Sequence, residues 1–107
     1  MANPHRGETP LPGTDKVLRF SVNALCEVEA AAGENMLALL SRIDNGETPT
    51  FSQTRLLLWG GLRDGSATLS DAGDLLQEVG VAVAMKAMAE ALRLAFGTAE
   101  ESPDPNR

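Results

Sequence analysis

Residues able to do covalent or acid–base chemistry are few in this chain, and their spacing argues against catalysis. Cys26 is the only cysteine and His5 the only histidine. A nucleophilic thiol needs a base partner or a positive neighbourhood that favours the thiolate. Cys26 instead precedes Glu27, whose charge opposes thiolate formation, and His5 lies in a polar lead-in. We therefore read Cys26 as a structural or idle thiol. Asp71, Asp74 and Glu78 are spaced to line one helix face. Paired carboxylates do acid–base work only in a pocket that drives their pKa values apart. Their neighbours here form the polar side of an amphipathic helix, so they read as a solvated face.

Metal and phosphate chemistry fare no better. Asp64-Gly65-Ser66-Ala67-Thr68 resembles the start of a calcium loop, but Leu69 takes the place of its glycine and Leu75 that of its bidentate glutamate. Gly60-Gly61 and Gly65 are not followed by Gly-Lys-Ser/Thr and no strand precedes them, so they are not a phosphate loop. No Cys/His cluster has zinc-site spacing. The expectation is a protein that is not an enzyme, with no cofactor and no metal.

Binding is the better prospect. Arg55, Trp59 and Arg63 are spaced i, i+4, i+8, so one helix face can present all three. Arg and Trp are over-represented at binding hot spots. The competing reading places Trp59 in the core with two solvated arginines. Met36, Met85 and Met88 read first as core filler and second as an adaptable groove. An unpaired hairpin edge, open to extension by another chain, is a third candidate surface.

The stretch that must position these groups is Thr50 to Gly65, TFSQTRLLLWGGLRDG. Thr50 and Gln53 form a capping-box pattern that marks a helix start. Leu56, Leu57, Leu58, Trp59 and Leu62 go most of the way round the helix, which predicts burial on several sides. Gly60 and Gly61 either end the helix or admit a close neighbour. The Leu58–Leu62 spacing predicts continuation to Arg63 with Gly65 as the stop.

Around it, the pattern predicts a mainly α domain of five short helices with an N-terminal two-stranded β-hairpin. Residues 1–5 read as a mobile lead-in, 6–21 as the hairpin, 22–96 as the helical body and 97–107 as a disordered acidic tail. The first strand covers Arg6 to Pro10, where proline suits an edge. In the second, Leu18, Phe20 and Val22 alternate onto one face. Leu11-Pro12-Gly13-Thr14 makes the turn. Such a hairpin is marginal alone and must lie on the helices or be completed by another chain.

The first helix runs from Val22 to Ala32 with Ser21 as N-cap and Gly33 as left-handed C-cap, turning Leu25, Val28 and Ala32 inward. The second, Glu34 to Asp44, turns Met36, Leu37, Leu40 and Ile43 inward and stops at Asn45-Gly46. The fourth opens on a Thr68–Asp71 capping box, carries Leu69, Ala72, Leu75, Leu76 and Val79 inside, and ends at Gly80. The fifth, Val81 to Phe96, groups Val81, Met85, Met88, Leu92 and Phe96.

Totals limit the partners. The 107 residues suit one domain, and 43% apolar content with 4% aromatics favours helices over a β-sandwich. A net charge of −6, with nine basic residues against fifteen acidic ones, argues against nucleic acid. No apolar run reaches the ~18 residues that would span a membrane, and the N-terminus lacks the apolar run of a signal peptide. The expectation from these totals is a soluble chain that stays where it was made.

Taken in order, MANPHRGE, VLRFSVNALCEVEAAAG, LLLWGGLRDG, TLSDAGDLLQEVG and a closing helix ending LRLAFG resemble one family. It comprises the small tail-assembly proteins of gene transfer agents and related long-tailed phages, sometimes labelled tail tube proteins. The resemblance covers Asn3 to Phe96. It implies a tail assembly chaperone that coats the hydrophobic tape measure protein, helps recruit tail tube protein subunits and leaves before the tail is finished. It also implies that a longer, frameshifted or adjoining-frame form exists in many relatives. The physics is compatible with self-association along a helical client. The alternative is a structural subunit retained in the tail of the particle. The family brings no motif-defined binding residues, so Arg55, Trp59 and Arg63 rest on the helix face alone.

Overall fold

A computed structural model describes residues 8–62 and 67–96. It holds two strands, β1 (Glu8–Pro10) and β2 (Val17–Arg19), and five helices. The helices are α1 (Val22–Ala32), α2 (Met36–Asp44), α3 (Phe51–Gly61), α4 (Leu69–Val79) and α5 (Val81–Phe96). The fold is mainly α with an N-terminal antiparallel hairpin, as the sequence pattern predicts.

In the hairpin Thr9 pairs with Leu18 and Pro10 with Val17. Gly13 takes a positive φ of 83° at the turn, and the Thr14 amide donates to the Leu11 carbonyl at 3.2 Å. The inward side chains Leu11 and Leu18 are fully buried and Phe20 nearly so. Both strands lie on α5, and β2 also touches α3. The helices thus supply the support that a lone hairpin lacks. Val22 does not share the face of Leu18 and Phe20. It is 66% exposed, because the backbone has already entered α1 there and side-chain alternation has given way to the helical period.

Short polar side chains set the helix starts. Ser21 Oγ accepts from the Ala24 amide at 3.1 Å. Asn35 Oδ1 accepts from the Ala38 amide at 3.0 Å, so α2 begins two residues later than Glu34. Thr50 and Gln53 close a reciprocal capping box at 3.0 and 2.8 Å, and Thr68 and Asp71 close another at 3.0 Å each way. Each such cap satisfies amides that the helix cannot pair internally. Gly33 ends α1 with φ 72° and donates to Glu29 O. Gly80, at φ 99°, both ends α4 and precedes α5.

Helix α3 is central, packing against α1, α4, α5 and β2. Leu57 and Leu58 are buried and Leu56 and Trp59 half-buried, which agrees with its nearly all-round apolar surface. It ends at Gly61, not Arg63, with Leu62 leaving the helical region at ψ 80°. Gly60 and Gly61 are both buried, and they let α1 and the strand-end Phe20 approach closely. A methyl group at Gly61 would stand 2.9 Å from Phe20 Cζ. Arg63 and Gly65 lie outside the described residues.

Helix α2 departs from expectation on one face. Leu37 is 76% exposed, whereas Leu39 is 2% exposed and belongs to the core with Met36. Helix α2 packs chiefly on α1, and that direction selects Met36 and Leu39 and leaves Leu37 outward. Along α5 the core is deepened by Ala84, Ala87 and Ala91, where small side chains let the hairpin and α3 come near.

Candidate functional site

The three groups singled out on the central helix have different surroundings. Arg55 is exposed, and its stem lies across α4, since a methyl group at Gly73 would stand 3.3 Å from Arg55 Cδ. Trp59, one turn on, is half-buried, and its Nε1 donates to the Ala67 carbonyl at 3.1 Å. Both therefore sit on the side of α3 that meets α4. Arg63 lies outside the described residues.

The other reactive groups are scattered. Cys26 is free and exposed on α1. Asp71, Asp74 and Glu78 are exposed along α4, and Asp71 Oδ2 is occupied as acceptor for the Thr68 amide. Among the described residues no group of three or more His, Cys, Asp or Glu side chains converges as a metal site. Asp64, Gly65 and Ser66 of the calcium-like stretch are outside those residues.

A different feature stands out on the side of α2 away from its core contacts. A groove of about 540 Å³ opens between α2 and α5, closed at its base by α3. Leu37, Leu40 and Ile43 line it from α2, and Met85, Met88, Leu92 and Phe96 from α5. Leu57 and Met88 are buried at 4% exposure each and form the bottom. Leu37 and Phe96, at 76% and 47%, form the rims. Two apolar stripes thus face each other across a gap that the described residues leave unfilled.

Polar contacts hold the α2 wall in place. Glu29 Oε2 accepts from the Met36 amide at 2.9 Å, and Gln53 Nε2 donates to Glu34 Oε2 at 3.1 Å. Arg42 pairs with Glu34 at 3.5 Å and with Glu47 at 3.0 Å. These bonds tie the N-terminal end of α2 to α1 and α3, and Arg42 links the residues on either side of α2. Two charged residues line the opening, Asp44 and Arg93. Arg93 Nε donates to Glu90 Oε1 at 3.2 Å. That hydrogen bond holds the Glu90 carboxyl below the ordinary value for a glutamate.

The sequence named Met85 and Met88 as a possible adaptable surface, and both line this groove. It did not name Leu37 or Phe96 as exposed. A short helix with three leucines in its first five residues, MLALL, carries more apolar surface than one core face needs, and that surplus is the signal available in the sequence.

Among the described residues no helix is long and apolar enough to cross a membrane. A family model described as phage tail tube protein, GTA-gp10, matches residues 6–98. Neither a curated protein nor a solved structure matches the chain. The match covers most of the 107 residues, and the chain belongs to this family of phage and gene-transfer-agent tail proteins.

Proposed function

From that membership we propose that the chain is a tail assembly chaperone: it binds the tape measure protein without catalysis and assists assembly of the tail tube protein around it. The observation that carries this reading is the apolar groove between α2 and α5, with Leu37 and Phe96 exposed at its rims. Contiguous apolar surface of this kind on a small domain marks a place where another chain is bound. The chain's charge of −6 keeps a complex with an apolar client dispersed. Arg55, exposed beside α4, is a secondary contact in this proposal, with Trp59 and Arg63 on the same stretch. Assembly takes place in the cytoplasm of the producing cell, and several copies line one client.

The family's description as tail tube protein favours a second reading, a subunit retained in the particle. A single two-stranded sheet among the described residues gives that reading little to build a tube wall from. Co-expression with the tape measure protein of the same tail gene cluster, followed by size-exclusion chromatography, separates the two. A client made soluble and eluting with many copies of this chain supports the chaperone. An insoluble client, with this chain later present in finished particles, sinks it and leaves the structural subunit.

A further inference from the structure

We propose that the groove between α2 and α5 takes one amphipathic helix of a partner protein, with a lysine or arginine beside that helix's apolar face, and that Asp44 selects this charge. Only the identity of the protein supplying the helix rests on the tail-assembly reading. The recognition itself follows from the groove.

Shape comes first. Met85, Met88 and Leu92 of α5 are spaced i, i+3, i+7 along one wall, and Leu37 and Leu40 face them from α2. At ~1.5 Å per residue, the stretch from Met85 to Phe96 is roughly three helical turns long. A helix laid along it meets both walls with side chains at i, i+3 or i+4, and i+7, the pattern of helix-in-groove binding. An extended segment fits less well. The walls are helices whose backbone groups are already paired, so a strand would bring unpaired amides and carbonyls into an apolar slot. A helix arrives with its own backbone satisfied. The flexible thioethers of Met85 and Met88 let the slot adjust to different apolar side chains.

Charge narrows the partner. Of the two charged residues lining the groove, Arg93 is held by Glu90. Asp44 is exposed, has no ion pair among the described residues and is the last residue of α2, at the negative end of that helix's dipole. A cation is the favoured neighbour there, and the chain's net charge of −6 steers in the same direction. A second copy of this chain is a poor occupant. The apolar stripes of its helices are largely consumed in its own core, and two copies repel.

The test uses two synthetic peptides of about 18 residues, long enough to form a helix. Both carry leucines at i, i+3, i+4 and i+7, one with lysine flanks and one with glutamate flanks. Binding to the full chain is read by fluorescence anisotropy. The lysine peptide should bind roughly tenfold or more tighter than the glutamate peptide, a difference of about 1.4 kcal/mol. Leu37→Gln and Phe96→Gln remove apolar contact at exposed rims without adding charge, so each should keep the helical circular dichroism while weakening the lysine peptide by a similar factor. Asp44→Lys should reverse the preference between the peptides. Equal affinity for the two peptides, or affinity unchanged by the rim substitutions, overturns the proposal. So does a dimer in sedimentation that Leu37→Gln dissociates, because the occupant is then a second copy. Peptide binding with an insoluble tape measure protein sinks the chaperone reading alone. A soluble client with no peptide binding sinks the groove alone.

Discussion

Gly60 of α3 lies directly against Val28 of α1: a methyl group on Gly60 would stand 2.5 Å from Val28 Cγ2. No non-bonded pair of carbon atoms sits so close. Val28 is fully buried and, being β-branched in a helix, has almost no alternative rotamer. Gly60→Ala is therefore expected to destabilise, although alanine is the better helix former by about 1 kcal/mol. A clash this short belongs at the upper end of the ~1–3 kcal/mol that overpacking costs. Thermal melts should show a lower Tm, and Gly60→Ala combined with Val28→Ala should lose less than the two single changes added together.

Gly73 is the opposite case. It is interior to α4, and the group a new methyl would meet at 3.3 Å is Arg55 Cδ, part of an exposed flexible stem. The arginine can move aside, so the propensity term decides. Gly73→Ala should raise stability by roughly 0.5–1 kcal/mol in urea unfolding, without a change in m. A loss of stability would mean that the arginine is pinned where it lies.

Leu37 and Leu39 are two residues apart on α2 and should respond very differently. Leu39→Ala empties a core position at 2% exposure and is expected to cost about 2–5 kcal/mol. Leu37→Ala trims a rim at 76% exposure and should stay within about 0.5 kcal/mol. Equal losses in denaturant melts would show that α2 is rotated from the orientation described.

Thr9 carries a buried hydroxyl with no hydrogen-bond partner among the described residues. A buried, unsatisfied polar group costs about 1–3 kcal/mol, and valine has almost the same shape with a strong preference for strands. Thr9→Val should raise Tm by removing that cost. A fall in Tm would reveal a partner for the hydroxyl.

Glu90 offers a pH test. Its carboxyl is held below the ordinary value chiefly by the Arg93 hydrogen bond, so the contribution it makes is present above the unfolded-state pKa. That contribution fades as pH falls through the lowered folded value. Carboxyl carbon NMR should find Glu90 titrating below its ordinary value, and Arg93→Gln should return it upward. The stability difference between wild type and Arg93→Gln should likewise shrink toward acid pH.

The helices were legible because their boundaries rest on local chemistry. Ser21, Thr50 and Thr68 cap amides three residues on, and such signals survive in a bare sequence; the Asn35 cap is missed, and the sequence reading starts α2 at Glu34 instead. Three features were not legible, because they depend on neighbours distant in the chain. Helix α3 ends at Gly61, with Leu62 at ψ 80°, beside Phe20 and Val28, so the Leu58–Leu62 spacing pointed past the true stop. The choice between Leu37 and Leu39 as the inner residue of α2 depends on the direction of α1. The candidate groove was hidden for the same reason. An apolar stripe on α5 reads identically whether another helix covers it or leaves a gap, and only the stand-off of α2 turns Met85 and Leu92 into a surface.

The hairpin rests on the last helix of the fold: β1 and β2 both pack on α5. The first described segment to leave the ribosome is therefore completed by the last, with nearly the whole chain between them. Leu11 and Leu18 complete their burial only once α5 has been made, so this domain reaches its native topology only after that helix is available. Until then its apolar strand is open to whatever else is nearby. For a protein whose proposed task is to shield another chain, early life is a period in which it is itself unshielded.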